Sequence, residues 1–394
     1  MKYRSILMAA MAALCLFPAG WAGLAHAQHR ADPQHLSQPG GSTLILFGDP
    51  QGYIKYDLNQ PLFDLCMAWV ADNVRPLNIQ AVLFTGDMVE QNDNNALDRR
   101  MLNQSSRQMW EAVSNGIRRI DGKVPYIICG GNHDYGFKHA EDPHTYLPDY
   151  FTFERQGDAI KERLVAEYPN REGRASLENS AYELTLPGWD HKLLVITSEF
   201  YPSDGALEWA GKLLASDKYK DHYGVYLTHS YMRCSGRCGN ALQKQEKYGI
   251  SQTPGNNSGE QIWEKLVRKS PNLRLVLCGH HGHGLAPDGS DDYLQSIGWR
   301  VDRNDAGKEV FQMMFNVQTL GGGWEGNGGD GWLRILEFLP DGKTVKVRTY
   351  SPLFGISKLT RHLANRTAPY DQFDFSIEES ENTAISSPPL PACS

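Results

Sequence analysis

The chain has 394 residues, 41% of them hydrophobic, enough for one large α/β domain or two smaller ones. Its formal net charge of −7 argues against broad electrostatic attraction to nucleic acid or to an anionic membrane, so no extended nucleic-acid binding is expected. The charge does not exclude a small-molecule or nucleotide-like ligand, because a bound cation would supply its own positive charge.

Lys2 and Arg4 precede an apolar run over residues 6–17, and Ala25-His26-Ala27 offers the small residues of a cleavage site before Gln28. Pro18, Gly20 and Gly23 interrupt the run after about a dozen residues, short of the ~20 that span a bilayer. Residues 1–27 therefore read as a cleavable signal peptide, and the mature protein as secreted or periplasmic with no membrane anchor. Residues 28–42 read as an N-terminal extension. In an oxidising compartment Cys234 and Cys238, in a polar loop, could close a local disulfide, with a zinc knuckle as the rival. Cys129 and Cys278 lie inside apolar runs and read as core residues.

Short apolar runs predict buried strands at 43–47, 81–85, 124–129, 193–197, 224–228 and 273–278. Amphipathic stretches between them predict helices at 62–73, 107–119, 206–215 and 261–269, the last opened by a capping-box pair, Ser258 and Gln261. Beyond residue 308 the pattern turns to strands at 310–317, 332–338 and 344–350, the last two joined by a Pro340-Asp341-Gly342 turn. No linker divides this pattern, so residues 43–378 read as one layered α/β domain and residues 379–394 as a loose tail. Residues 233–258 form a polar loop directly after His229, where they could overhang a site. Residues 321–331 are too glycine-rich for a strand interior and read either as a turn or as a substrate-contacting loop carrying Trp324.

Five of the strand-like runs end in polar clusters: Asp49-Pro50-Gln51, Gly86-Asp87, Gly131-Asn132-His133-Asp134, Thr228-His229 and Gly279-His280-His281-Gly282-His283. Carboxylates, an amide and imidazoles at strand ends are the ligands expected around a pair of catalytic metal ions. A phosphate ester resists attack until its charge is neutralised and a nucleophile is made from water, and two ions about 4 Å apart do both. Asp87, central in the series, is the natural bridge. Asp49 and Gln51 could face one ion, and Asn132, His229 and His280 the other.

In this order and context the clusters resemble the calcineurin-like metallophosphoesterase superfamily over roughly residues 43–284, and the run Gly328 to Arg334 resembles its secreted bacterial members. The resemblance implies a four-layer αββα sandwich with two mixed β-sheets. It implies two divalent or trivalent metal ions, with Mn, Fe or Zn expected: Asp49 and Asp87 on the first, Asp87 bridging, and Asn132, His229 and His280 on the second. It also implies that His133 is no ligand but faces the leaving-group oxygen as a general acid or charged donor. Asp134 would orient His133 or cap the following loop.

Two departures bear on the first metal. Gln51 stands where the superfamily usually has histidine, and an amide oxygen is a weaker donor to zinc or iron than imidazole. The last cluster usually reads Gly-His-x-His, but residue 282 is glycine. Either His283 serves the first metal through a one-residue slip, or another group fills that place, with His281 a spare or paired with His283. The expected activity is hydrolysis of a phosphomonoester or phosphodiester by metal-activated hydroxide, with His133 assisting the leaving group. The alternative is a metal-binding recognition module with weak or lost turnover. No nucleophile-elbow pattern with a matching triad supports a serine hydrolase.

Overall fold

A computed structural model describes residues 34–97, 102–235, 238–282 and 293–377, apart from the side chains of residues 234–239. The expected signal peptide, the C-terminal tail, the Cys234 and Cys238 side chains and His283 all lie outside the described residues.

The apolar runs build two seven-stranded mixed sheets. In the first, the fully buried Ser42–Phe47 strand pairs parallel with Ile79–Phe84, which pairs parallel with Tyr126–Ile128. On its other side Ser42–Phe47 meets Leu333–Phe338 antiparallel, followed by Thr344–Tyr350. In the second, Leu273–Cys278 lies between Tyr223–Leu227 and Glu309–Phe315, parallel to both, and Leu193–Thr197 runs parallel beyond Tyr223–Leu227.

Alternation along the second sheet reveals the layering. Leu275, Leu277, Phe311, Met313 and Phe315 join the core that also holds Leu44, Phe47, Val82 and Phe84 of the first sheet. Val276, Cys278, Val310 and Met314 face a separate cluster with Leu207 and Leu214 of the Asp204–Ala215 helix and Ile262 and Leu266 beyond it. Successive side chains on a strand point to opposite faces, so one face packs sheet on sheet and the other packs under helices. On the far side, helices Gln60–Asn73 and Ser106–Ile117 bury Phe63, Met67, Met109 and Trp110 against the first sheet. The result is the four-layer arrangement.

The predicted strands at 193–197, 273–278 and 344–350 form with those bounds. The predicted 310–317 strand ends at Phe315, and the predicted 261–269 helix is a single α-turn, Gly259–Ile262, continued by a π-turn, Trp263–Val267. Its opening holds: the Gln261 Oε1 accepts from the Ser258 N–H at 2.9 Å. Several strands have no clear signature in the sequence. Leu164–Glu167 is half-exposed throughout its apolar part, and Phe373–Ser376 is an edge strand on Thr344–Tyr350, so neither carries a full apolar run. Cys129 and Cys278 are buried free thiols. Among the described residues no helix is long and apolar enough to cross a membrane.

The glycine-rich 321–331 segment packs rather than swings. A Cβ on Gly52 would come within 2.9 Å of the Gly328 Cα, so the run lies backbone to backbone against the Gln51–Ile54 turn and supports it.

Candidate metal centre

Asp49, Asp87, Asn132, His229 and His280 all follow the C-terminal ends of parallel strands, the edge where open α/β sheets gather their ligands. The motif glycines let these loops approach. A Cβ on Gly131 would lie 2.2 Å from the Asp87 N, and one on Gly279 2.1 Å from the Asp49 Oδ1, so neither position tolerates a side chain. Asp87 and His280 turn their side chains inward from left-handed backbone, with φ of 54° and 67°.

The centre is built around His229, which is fully buried. Its Nδ1–H donates to the Thr85 carbonyl at 2.6 Å, which leaves the Nε2 lone pair facing inward. That nitrogen lies 3.0 Å from the Asn132 Oδ1, 3.1 Å from the His280 Nδ1 and 3.3 Å from the Asp87 Oδ2. His280 is fixed in the same way, with Nε2–H donating to the Glu246 Oε1 at 2.8 Å and Nδ1 lying 2.9 Å from the Asn132 Oδ1. Four lone-pair atoms thus point at one another, an arrangement that repels itself unless a cation stands between them. A tetrahedral ion with ligand bonds of ~2.0–2.1 Å separates its ligands by about 3.3 Å, so the spacing fits. Two imidazoles, an amide oxygen and a carboxylate suit Zn, Mn or Fe.

Asp49 and Gln51 lie beside this cluster. The Gln51 Nε2–H donates to the Asp87 Oδ2 at 2.9 Å, while its buried Oε1 has no hydrogen-bond partner among the described residues. An orphaned buried acceptor is costly, and a second cation would satisfy it. Asp49 accepts from the Thr85 hydroxyl at 2.6 Å, the Asn316 amide at 2.6 Å and the His280 N–H at 2.8 Å. About one of its four lone-pair sites remains for an ion. Burial, partly offset by His229 and reinforced by the Asp87 charge, pushes the Asp49 carboxyl up to about 6. Burial acts on Asp87 too, but His229, His133 and His280 overcome it and hold that carboxyl below the usual range. Against the cost of burial, Asp87 and Asp49 push His229 up to about 10. Without metal the site therefore holds a proton where a cation fits.

The calcineurin-like phosphoesterase profile matches residues 42–284. The chain belongs to the calcineurin-like phosphoesterase family. It is 28% identical over 314 residues to the uncharacterized protein YvnB of Bacillus subtilis (strain 168), covering 79% of this chain but 20% of that relative, so it spans about a fifth of the relative's length. Among solved structures it is similar to purple acid phosphatase PPD1 from yellow lupin (Lupinus luteus) seeds, with 13% identity, a TM-score of 0.44 and coverage of 90% of this chain and 59% of that one. It is also similar to a dimetal phosphatase from Danio rerio, with 9% identity, a TM-score of 0.42 and coverage of 86% and 99%.

In this family member the two non-ligand candidates behave differently. The His133 N–H donates to the Asp87 Oδ1 at 2.9 Å, which ties the residue to the centre. Its ring Nδ1–H donates to the Glu90 carbonyl at 2.6 Å, leaving Nε2 free to hold or deliver a proton. Burial lowers the proton affinity of His133, but the Asp87 and Glu90 charges outweigh it and raise it. Asp134 does not orient His133. Its buried carboxylate accepts instead from the backbone N–H groups of Met88 at 2.7 Å, Val89 at 3.3 Å and Gly131 at 2.9 Å, binding two site loops together. The cause is simple: the His133 Nδ1–H is taken by the Glu90 carbonyl, and three backbone N–H groups occupy the Asp134 oxygens. Burial and the Asp87 charge push it up to about 8.

Three contributors escape the sequence reading. Asn316 follows the end of the parallel strand Glu309–Phe315 and donates to both the Asp49 carboxylate and, at 3.1 Å, the His280 carbonyl. A polar residue interrupting an apolar strand pattern was the available signal. Glu246, in the 233–258 loop expected to overhang the site, fixes His280, and the carbonyl of Glu90, a rim candidate three residues beyond Asp87, fixes His133; no local pattern assigns them these partners.

Proposed function

We propose that this chain is an exported, metal-dependent phosphoesterase with two ions at the centre described above. The reading rests chiefly on one observation: the Asn132 Oδ1, His229 Nε2, His280 Nδ1 and Asp87 Oδ2 converge with His133 tethered beside them. Bound ions there would neutralise the phosphate and supply a water of lowered pKa. Asp87, with one oxygen toward His229 and Gln51 and the other on the His133 N–H, would be shared between the two ions. Asp49, Gln51 and, outside the described residues, His283 are proposed for the first ion.

In the hydrolysis, the water oxygen bonds to phosphorus and its proton passes to solvent, the P–O bond to the leaving group breaks, and the His133 Nε2 gives the departing oxygen a proton that solvent then restores. The Glu90 carbonyl holds the ring in the required tautomer, and the Asp87 and Glu90 charges favour its protonated form. A recognition module would leave without a task a His133 that is held in place and favoured in its protonated form. Export is proposed from the composition of residues 1–27, and a single domain over residues 43–378 from the continuous core. Metal analysis of the purified protein, with hydrolysis of aryl phosphate mono- and diesters before and after chelation, tests the reading. Activity should vanish with the metal and return with Mn, Zn or Fe. Full activity in thoroughly metal-free protein would overturn it.

A further inference from the structure

Beside His133 the site is walled by the rings of His139 and Tyr248. The His139 ring lies 5.8 Å from the His133 ring, and Tyr248 meets His139 edge-on at 6.1 Å, with 89° between the planes. Tyr248 is braced from behind by the fully buried Phe200, 5.5 Å away, and closes on the centre 6.1 Å from His280. The rings therefore run as one rim from the leaving-group residue to a metal ligand. His139 keeps 51% of its side chain exposed and Tyr248 is half-buried, so part of each ring is accessible from solvent. Tyr248 packs its inner side on the small buried cluster of Phe200, Tyr201 and Ile250, and His139 takes no part in that cluster.

We propose that the His139–Tyr248 rim is the leaving-group subsite and that it selects phosphate esters whose leaving group carries a planar aromatic ring next to the ester oxygen. This rests on the proposed function, because His133 defines the side from which the leaving group departs. A group extending from an oxygen held at the His133 Nε2 lies along this rim. Ring pairs with centroids 4.5–7 Å apart attract in offset or edge-on geometry, and such a contact is worth roughly two- to tenfold in binding. An alkyl group of the same reach gains only nonspecific contact there.

The test compares kcat/KM for phenyl phosphate and methyl phosphate in the metal-loaded parent, Tyr248→Ala, Tyr248→Phe and His139→Ala. The greater intrinsic reactivity of the phenyl ester cancels when the ratio in a variant is divided by that in the parent. Tyr248→Ala should lower the ratio about three- to tenfold, chiefly through KM for the phenyl ester, and Tyr248→Phe should restore it. His139→Ala, at an exposed position that does not threaten folding, should lower it about twofold. Ratios equal to the parent's in both alanine variants would overturn the subsite. Calorimetric binding of phenylphosphonate and methylphosphonate, which needs no turnover, reads the same contact: equal affinities in the parent would overturn it as well. A metal-loaded parent that binds phenylphosphonate more tightly yet hydrolyses neither ester would leave the subsite standing and refute the proposed activity.

Discussion

Replacing Glu246 should weaken metal binding although the residue touches no metal position. Its Oε1 accepts from the His280 Nε2–H at 2.8 Å and its Oε2 from the Ser230 hydroxyl at 2.8 Å, with 17% of the side chain exposed. Burial alone would raise this carboxyl, but His280 and its hydrogen bonds lower it, so at neutral pH it is a carboxylate. A carboxylate on the far nitrogen fixes which imidazole nitrogen bears the proton and makes the other a better ligand, and losing such a partner costs ~10–100-fold in metal affinity. That range corresponds to about 1.4–2.7 kcal/mol. Glu246→Gln keeps one acceptor oxygen for His280 and loses the charge, so the loss should fall near ~10-fold, whereas Glu246→Ala removes both and should approach ~100-fold. Competition titration of zinc or manganese against a chromogenic chelator, beside the melting temperature of the metal-free protein, measures both effects. Parent-like affinity in Glu246→Ala would refute the tautomer argument, and a lowered metal-free melting temperature with that affinity intact would reduce Glu246 to a structural role.

Asp87 and His133 should separate. Asp87→Asn should lose metal and activity together, while His133→Asn should keep metal and lose ~100-fold or more in turnover, the scale of a general acid; equal metal loss in both, by elemental analysis, would refute the assigned roles. Gln51→His should tighten the more weakly held ion or shift its preference toward transition metals, because imidazole replaces an orphaned amide oxygen; a metal titration indistinguishable from the parent's would count against Gln51 as a ligand. In the metal-free protein His229, raised from its ordinary 6.5 to about 10, contributes stability that is fully present below pH ~6.5 and lost as pH rises through about 10. Asp134, raised to about 8, acts in the same direction between its ordinary value and about 8, since its native state holds the proton more tightly. The urea midpoint of chelated protein should therefore fall between pH 7 and pH 10, and fall less in His229→Gln; a midpoint insensitive to pH in that window would contradict both.

The sequence by itself determined the scaffold and the order of the site. Apolar runs that end in Asp49, Asp87, Asn132, His229 and His280 are local patterns, and parallel strands must deliver their ends to one edge, so those residues were legible together without coordinates. It could not show which carboxylate serves which neighbour. Asp134 binds backbone rather than His133, and the Glu90 carbonyl takes the place expected of it, because hydrogen-bond partners are chosen by distance after the loops have packed. Half-exposed edge strands such as Leu164–Glu167 left no apolar run to read, since an edge needs burial on neither side. Glu246, Asn316 and the His139–Tyr248 rim join the centre only through contacts between distant chain segments, 34 residues apart for Glu246 and His280 and 267 for Asn316 and Asp49. Sequence periodicity records which face of an element is buried, and only closure of the two sheets decides what that burial brings together.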